Sequence, residues 1–168
     1  MVFATAYKEG AALPTEVDFL ILCDAAQVAP DGKLYTLGAG LTFIGRPVAT
    51  GTEAATAPPS RFTLAAGFLI DWNDTNEPLS VRVAIEDDDN HPLVQLQAQL
   101  VVGRPPQAPP GMEQRALLAL PIMMQFPKAG PYHARATIDS HEAQRIVNFR
   151  VVDPPVPQFI PPGPPATG

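Results

Sequence analysis

"KAGPYHARATID", residues 128–139, decides how the chain is read. A Gly-Pro pair turns the backbone at residues 130 and 131, and from Tyr132 onward two kinds of residue alternate. Tyr132, Ala134, Ala136 and Ile138 fall on one phase, and His133, Arg135 and Thr137 on the other. Successive side chains of a strand point to opposite faces, so a period of two predicts a half-buried strand with Tyr132 at its start and its own phase turned inward. "EAQRIVNFRVVD" (142–153) follows across the short "DSH" turn, and the two stretches predict a hairpin.

The same pattern recurs upstream. "LVQLQAQLVVG" (93–103) sets Val94, Leu96, Ala98 and Leu100 against Gln95, Gln97 and Gln99, which predicts one face on a core and one in water. "LSVRVAIED" (79–87) places Val81, Val83 and Ile85 on one face and Arg82 on the other. "DFLILCDAAQV" (18–28) and "RFTLAAGFLIDW" (61–72) are apolar on both phases, the pattern of strands covered on both sides. "KLYTLGAGLTFIG" (33–45) is strand-like, with Gly38 and Gly40 marking a bulge or a close backbone approach. "EQRALLALPIMMQF" (113–126) carries Pro121 in its middle, which places it on a sheet edge or at a strand break; a short helix is the competing reading.

Short strands separated by Gly, Pro, Asn and Asp turns predict an all-β fold, an antiparallel immunoglobulin-like two-sheet sandwich of about eight strands. In such sandwiches a tyrosine just after a tight turn enters a late strand and ties its hydroxyl to nearby backbone, and "AGPY" has that chemistry. An ordinary core tyrosine at a strand start is the alternative. Residues 1–15 show no period and read as an N-terminal arm, 16–153 as the sandwich domain, and 154–168 as a Pro-rich tail of polyproline II or disordered character. The stretch 46–60 is a long loop, and "GRPPQAPPG" (103–111) a stiff one, because proline lacks the donor that a ladder requires.

Bulk properties exclude several classes of function. A chain of 168 residues, 46% hydrophobic and 17% charged, is one globular domain. A net charge of -6 with only 11 Lys and Arg argues against nucleic acid as a partner. The single cysteine, Cys23, lies in an apolar run and reads as a buried hydrophobe in a cytoplasmic protein. No secretory leader and no apolar run of membrane-spanning length is visible, so neither export nor membrane insertion is expected.

Three stretches, "DAAQVAPDGKLYTLGAG" (24–40), "GRPPQAPPG" (103–111) and "FPKAGPYHARATIDSHEAQRIVNFRVV" (126–152), together resemble a bacterial family of unknown function made of single-domain Ig-like β-sandwiches. The family pattern is an "AQV...GKLY.LGGG" hairpin, a "GRPP..PPG" loop and a closing "FP.PG.Y" hairpin. The resemblance covers roughly residues 17–152, departs at Ala39 where a third glycine is often seen, and leaves both termini outside. It implies the sandwich and no reaction.

Alternating loops between the two ends of such a sandwich gathers "PDG", "DWNDTNEP", "GRPPQAPPG" and "DSH" at one end. Asp71, Asp74, Asp139 and His141 are then expected to converge there beside Arg104. The acidic loops "DWNDTNE" and "EDDDN" flank one strand, lie at opposite ends and share no ion, and a run of aspartates in a turn reads as solvated, so no metal is assigned. "HEAQR" (141–145) has Arg145 where a zinc-protease helix needs its second histidine, and "GAGLTFIG" runs into a strand instead of the helix of a dinucleotide site. No cofactor is expected. His91, His133 and His141 each read as exposed polar residues.

The chain is therefore expected to be no enzyme but a structural or accessory subunit working through protein contacts or self-assembly. Its candidate anchors are Phe3, Tyr7, Arg104, Pro105, Pro106, Phe159 and Ile160. The alternative is a small-ligand sandwich of carbohydrate type, using Trp72 as an exposed platform with Asp71, Asp74, Asp139 and His141 around it; a tryptophan ending a central strand also serves as a core cap. Asp139 and His141 invite a hydrolase reading as well, without an identifiable nucleophile.

Overall fold

The computed structural model describes residues 14–47 and 58–153. Phe3, Tyr7, Phe159 and Ile160 lie outside the described residues, as does most of the long loop. Period-two hydrophobicity is realised as ten strands and no α-helix among the described residues. In chain order they are β1 (Glu16–Cys23), β2 (Ala25–Val28), β3 (Leu34–Leu37), β4 (Phe43–Gly45), β5 (Ser60–Ile70), β6 (Pro78–Asp87), β7 (Pro92–Val101), β8 (Gln114–Met124), β9 (Gly130–Ile138) and β10 (Ala143–Val152).

These strands form a three-stranded sheet in the order β1-β5-β8, a five-stranded sheet in the order β4-β10-β9-β6-β7, and a separate β2-β3 ribbon. Every pairing is antiparallel except β4 with β10. One apolar cluster lies between the two larger sheets: Phe62, Leu64, Phe68 and Ile70 of β5 gather with Val81, Val83 and Ile85 of β6 and with Ala134, Ala136 and Ile138 of β9. Each such large aliphatic or aromatic side chain contributes roughly 1.5–3 kcal/mol by leaving water.

Tyr132 opens β9 as its sequence predicts. It is 2% exposed, and its whole phase through Ile138 is buried. Its ring stands 5.0 Å from Phe126 and 6.0 Å from Phe149, and its hydroxyl donates to the Lys128 carbonyl at 2.9 Å.

The predicted strand count is corrected at two places. The run 18–28 breaks at Asp24 into β1 and β2, and 33–45 breaks at Gly38–Gly40 into β3 and β4. Gly38 and Gly40 have φ of 60° and 89°, a region that glycine enters without steric cost. A Cβ on Gly38 would strike the Asp24 carboxylate, so this is the close approach that the sequence announced. Gly40 and Leu41 then donate to the Leu22 carbonyl, returning the chain to the sheet. The "PDG" turn belongs to the ribbon, which leaves β1 at Cys23, where β1 pairs with Thr63 near the start of β5. It does not share the end at which β5 finishes.

The ribbon explains the doubly apolar runs. β2 lies against β8 and β5. Cys23, Thr63 and Ala65, on the phase of β1 and β5 opposite to the main core, are buried as well.

A second correction concerns β7. Val94 and Leu100 pack against the core, but Leu96 is 39% exposed and Ala98 is exposed. Their partners on β6, Val83 and Val81, are fully covered. The five-stranded sheet is wider than the three-stranded one, so its outermost strand overhangs. β8, for which a helix was the competing reading, is an edge strand containing Pro121, and proline tolerates an edge because its missing donor faces no ladder there. No helix of the described residues is long and apolar enough to cross a membrane.

Candidate functional site

The end at which β5 stops and β6 begins collects most of the polar side chains singled out above. Asp71 caps a single 3-10 turn, Trp72–Asp74, accepting from the Asn73 N–H at 2.9 Å. Thr75 closes the turn by donating to the Trp72 carbonyl at 2.6 Å. β1 runs antiparallel to β5, and this delivers buried Thr15, just before β1, to the same place. Its hydroxyl accepts from the Asp71 N–H at 2.9 Å and donates to Asp74 Oδ2.

The β9–β10 turn arrives from the other sheet. His141 Nε2 lies 2.9 Å from Asp74 Oδ2, and Ser140 Oγ lies 2.7 Å from His141 Nδ1. A carboxylate only accepts, so Nε2 donates to Asp74, and in the neutral imidazole the remaining nitrogen, Nδ1, accepts from the serine hydroxyl. The result is a directed chain of hydrogen bonds from Ser140 through His141 to Asp74, with Thr15 holding the far end.

Arg104 pins the Pro-rich loop to this turn. Its Nε donates to the Thr75 hydroxyl at 2.5 Å, another guanidinium nitrogen donates to the Trp72 carbonyl at 2.7 Å, and the guanidinium lies 4.5 Å from the centre of the Trp72 ring. That stacking contributes on the order of 0.5–1 kcal/mol at an exposed site. Trp72 is half-buried and outside the core cluster, and Arg104 covers one of its faces. Pro105 and Pro106 remain exposed.

The expected convergence is realised in part. Asp71, Asp74, His141 and Arg104 all bond to the segment 71–75 or to a residue held by it. Asp139 does not join them: its carboxylate accepts from Ser80 at 3.2 Å and Arg82 at 3.1 Å. Asp139 and His141 straddle the turn apex, and this sends the two side chains to different partners. Thr15, which the sequence places in the arm, and Ser140 are the participants that sequence reasoning missed. Ser140 is the middle residue of the "DSH" turn, and its adjacency to His141 was the available signal.

The outer face of the five-stranded sheet carries a second polar cluster. His133 Nε2 and Arg135 Nε both donate to Glu86 Oε2, at 2.7 and 3.0 Å, and Arg135 also reaches Asn90 and Gln144. The His133 side chain is only 12% exposed, so its reading as an exposed residue is corrected: cross-strand neighbours on β6 and β10 enclose it. His141 is likewise engaged, whereas His91 is open to solvent. Across the β6–β7 turn Asp87, Asp89 and His91 bring one ligand atom each within 4.8 Å of one another. The Asp87 carboxylate is occupied as a turn acceptor, and the N–H groups of His91 and then Asp89 hold it below the usual carboxylate range.

With that geometry in place, comparison with known proteins adds one result. Residues 18–152 match a family of unknown function, DUF6941, and the chain belongs to that family. No curated protein matches the sequence.

Proposed function

We propose that this chain is an immunoglobulin-like sandwich that serves as a structural or accessory subunit in the bacterial cytoplasm, acting through protein–protein contacts made by the outer face of the β2-β3 ribbon. The observation that carries the reading is the exposure of Tyr35 (57%) and Leu37 (69%) on that ribbon. Both lie on one phase of β3, while Leu34 and the β2 residues Ala26 and Val28 on the other phase are half-buried. A two-stranded ribbon is marginal by itself and holds its shape by packing one face on the domain. Large apolar side chains grouped on its free face mark an interaction surface.

Three features support the immunoglobulin-like part of the reading: the three-against-five strand order, the parallel β4–β10 pair at a sheet edge, and the Tyr132 hydroxyl bonded to backbone four residues upstream. Among the anchors expected from sequence, Arg104 spends its donors inside the molecule, which shifts the weight of the contact to the ribbon. Arg104 also occupies a face of Trp72 that a sugar platform would need free, and this weighs against the carbohydrate reading.

The test is a Tyr35→Glu/Leu37→Glu double variant, compared with the wild type for solution mass by light scattering and for partner capture from the native host. Loss of a captured partner or of self-association in the variant, with an unchanged circular dichroism spectrum, is the expected result. Equal capture and equal mass for both proteins would reject the reading.

A further inference from the structure

The geometry points to Ser140 as an activated nucleophile for acyl transfer, with His141 as its base and Asp74 as the residue that positions the imidazole. The inference is independent of the ribbon, whose residues take no part in it. It rests on three contacts that link the adjacent Ser140 and His141 to Asp74 and Thr15 from two other parts of the chain. Ser140 Oγ is 2.7 Å from His141 Nδ1, His141 Nε2 is 2.9 Å from Asp74 Oδ2, and the same Asp74 oxygen accepts from Thr15. Nucleophile and base stand at hydrogen-bond distance, and a third group fixes the tautomer of the base, which is the arrangement that activates a serine.

The surrounding backbone holds this relay in place. The Asp139 N–H donates to the Ser80 carbonyl at 3.0 Å, the His141 N–H donates to the Ile138 carbonyl at 3.2 Å, and Glu142 completes the turn at φ 50°. The Asp139 carboxylate ties the same turn to Arg82. The oxyanion that forms on the substrate's carbonyl oxygen would take its first donor from the Ser140 N–H, the backbone amide of the nucleophile itself. Ser140 stands exposed at the turn, which suits an ester presented from solvent on an extended acyl group.

The chemistry balances with water as the second reactant. Ser140 Oγ forms a bond to the ester carbonyl carbon while its proton passes to His141 Nδ1, and Asp74 stabilises the resulting imidazolium through Nε2–H. The bond from that carbon to the alkoxide oxygen breaks, and the imidazolium returns the proton to the departing alkoxide. Water then adds to the acyl-serine, losing its proton to Nδ1, and the carboxylic acid departs as Ser140 recovers a proton.

The full chain, treated with a fluorophosphonate probe and mapped by mass spectrometry, is expected to carry one adduct, on Ser140. Ser140→Ala and His141→Gln are expected to abolish it, and both changes sit in a turn that the backbone bonds keep folded. Hydrolysis of p-nitrophenyl acetate by Asp74→Asn is expected to lose ~10²-fold in kcat with KM unchanged, the signature of a lost positioning residue. An unlabelled wild-type chain, an adduct on another residue, or acetate release that survives Ser140→Ala at the wild-type rate would overturn the proposal. Labelling that Asp74→Asn leaves at full speed would overturn the role of Asp74.

Discussion

Replacing Tyr132 by phenylalanine and by alanine separates what its hydroxyl does from what its ring does. Tyr132→Phe removes one hydrogen bond, to the Lys128 carbonyl at 2.9 Å, and nothing else. Lys128 is exposed, so its carbonyl can turn to water and escape the full cost of an orphaned buried acceptor. The loss should therefore stay near ~1 kcal/mol. Tyr132→Ala also empties a site that is 2% exposed and removes a ring packed edge-on to Phe126 and stacked with Phe149. Large-to-small changes of this kind cost roughly 3–5 kcal/mol, a large share of the ~5–15 kcal/mol that holds a domain folded.

The assay is equilibrium urea unfolding followed by far-ultraviolet circular dichroism, with a thermal melt beside it. For a chain of this length each kcal/mol moves the midpoint by about 2–4 °C, so the phenylalanine variant should melt about 2–4 °C lower and the alanine variant about 6–20 °C lower. The denaturant slope should be unchanged for the phenylalanine variant, since the surface exposed on unfolding is the same. A phenylalanine variant as stable as the wild type would show that the hydroxyl bond contributes nothing. An alanine variant that lost under ~1.5 kcal/mol would refute the placement of Tyr132 in the core.

Four further outcomes test other parts of the structure. Gly67→Ala drives a new Cβ into the Phe19 ring and should cost about 1–3 kcal/mol; in a Phe19→Ala background most of that cost should vanish, and a purely additive double-mutant cycle would contradict the contact. Cys23 is fully buried, and burial, followed by the nearby Asp24 charge, pushes its thiol above the ordinary value, so it should ignore a thiol reagent in the native chain at about pH 8 and react fully in denaturant. Arg104→Ala should red-shift the emission of Trp72, the single tryptophan of the chain, and cost about 1 kcal/mol; an unmoved spectrum would show that the guanidinium does not cover the ring. The depressed Asp87 carboxyl stabilises the fold above the usual aspartate value of about 3.9 and stops doing so as pH falls through its lower folded value, so urea midpoints of the wild type and Asp87→Asn should converge between about pH 6 and about pH 2.5.

Much of the fold was legible because one rule governs it: where a strand has one wet face, its side chains alternate. β9 obeys throughout, and Tyr132, Ala134, Ala136 and Ile138 are all buried. β7 shows where the rule stops. Its alternation is the clearest in the chain, yet Leu96 and Ala98 are exposed, because sequence period reports which face a residue shares and not whether another sheet is wide enough to cover it. The doubly apolar runs in β1 and β5 correctly announced two covered faces, but the second cover is the ribbon, a short element hidden inside segments that read as continuous strands. Asp24 and the Gly38–Gly40 turn decide that break, and each involves a backbone reversal that hydrophobic spacing does not register.

The site was less legible for a geometric reason. Asp71, Asp74, His141 and Arg104 were expected together, and loop alternation suffices to bring them to one end. Which carboxylate meets the imidazole is a finer matter, set by where the β9–β10 turn reverses. Ile138 pairs with Ala143 across that hairpin, leaving Asp139 through Glu142 as the loop. Asp139 leaves β9 on the outer, polar phase and lies beside Ser80 and Arg82, while His141, beyond the apex, reaches Asp74. Had the pairing slipped by one residue, Asp139 would change faces and the relay would have a different acid or none. A strand register, set by the core residues Ala134, Ala136 and Ile138, therefore selects the partner of His141, and with it which ring nitrogen faces Ser140.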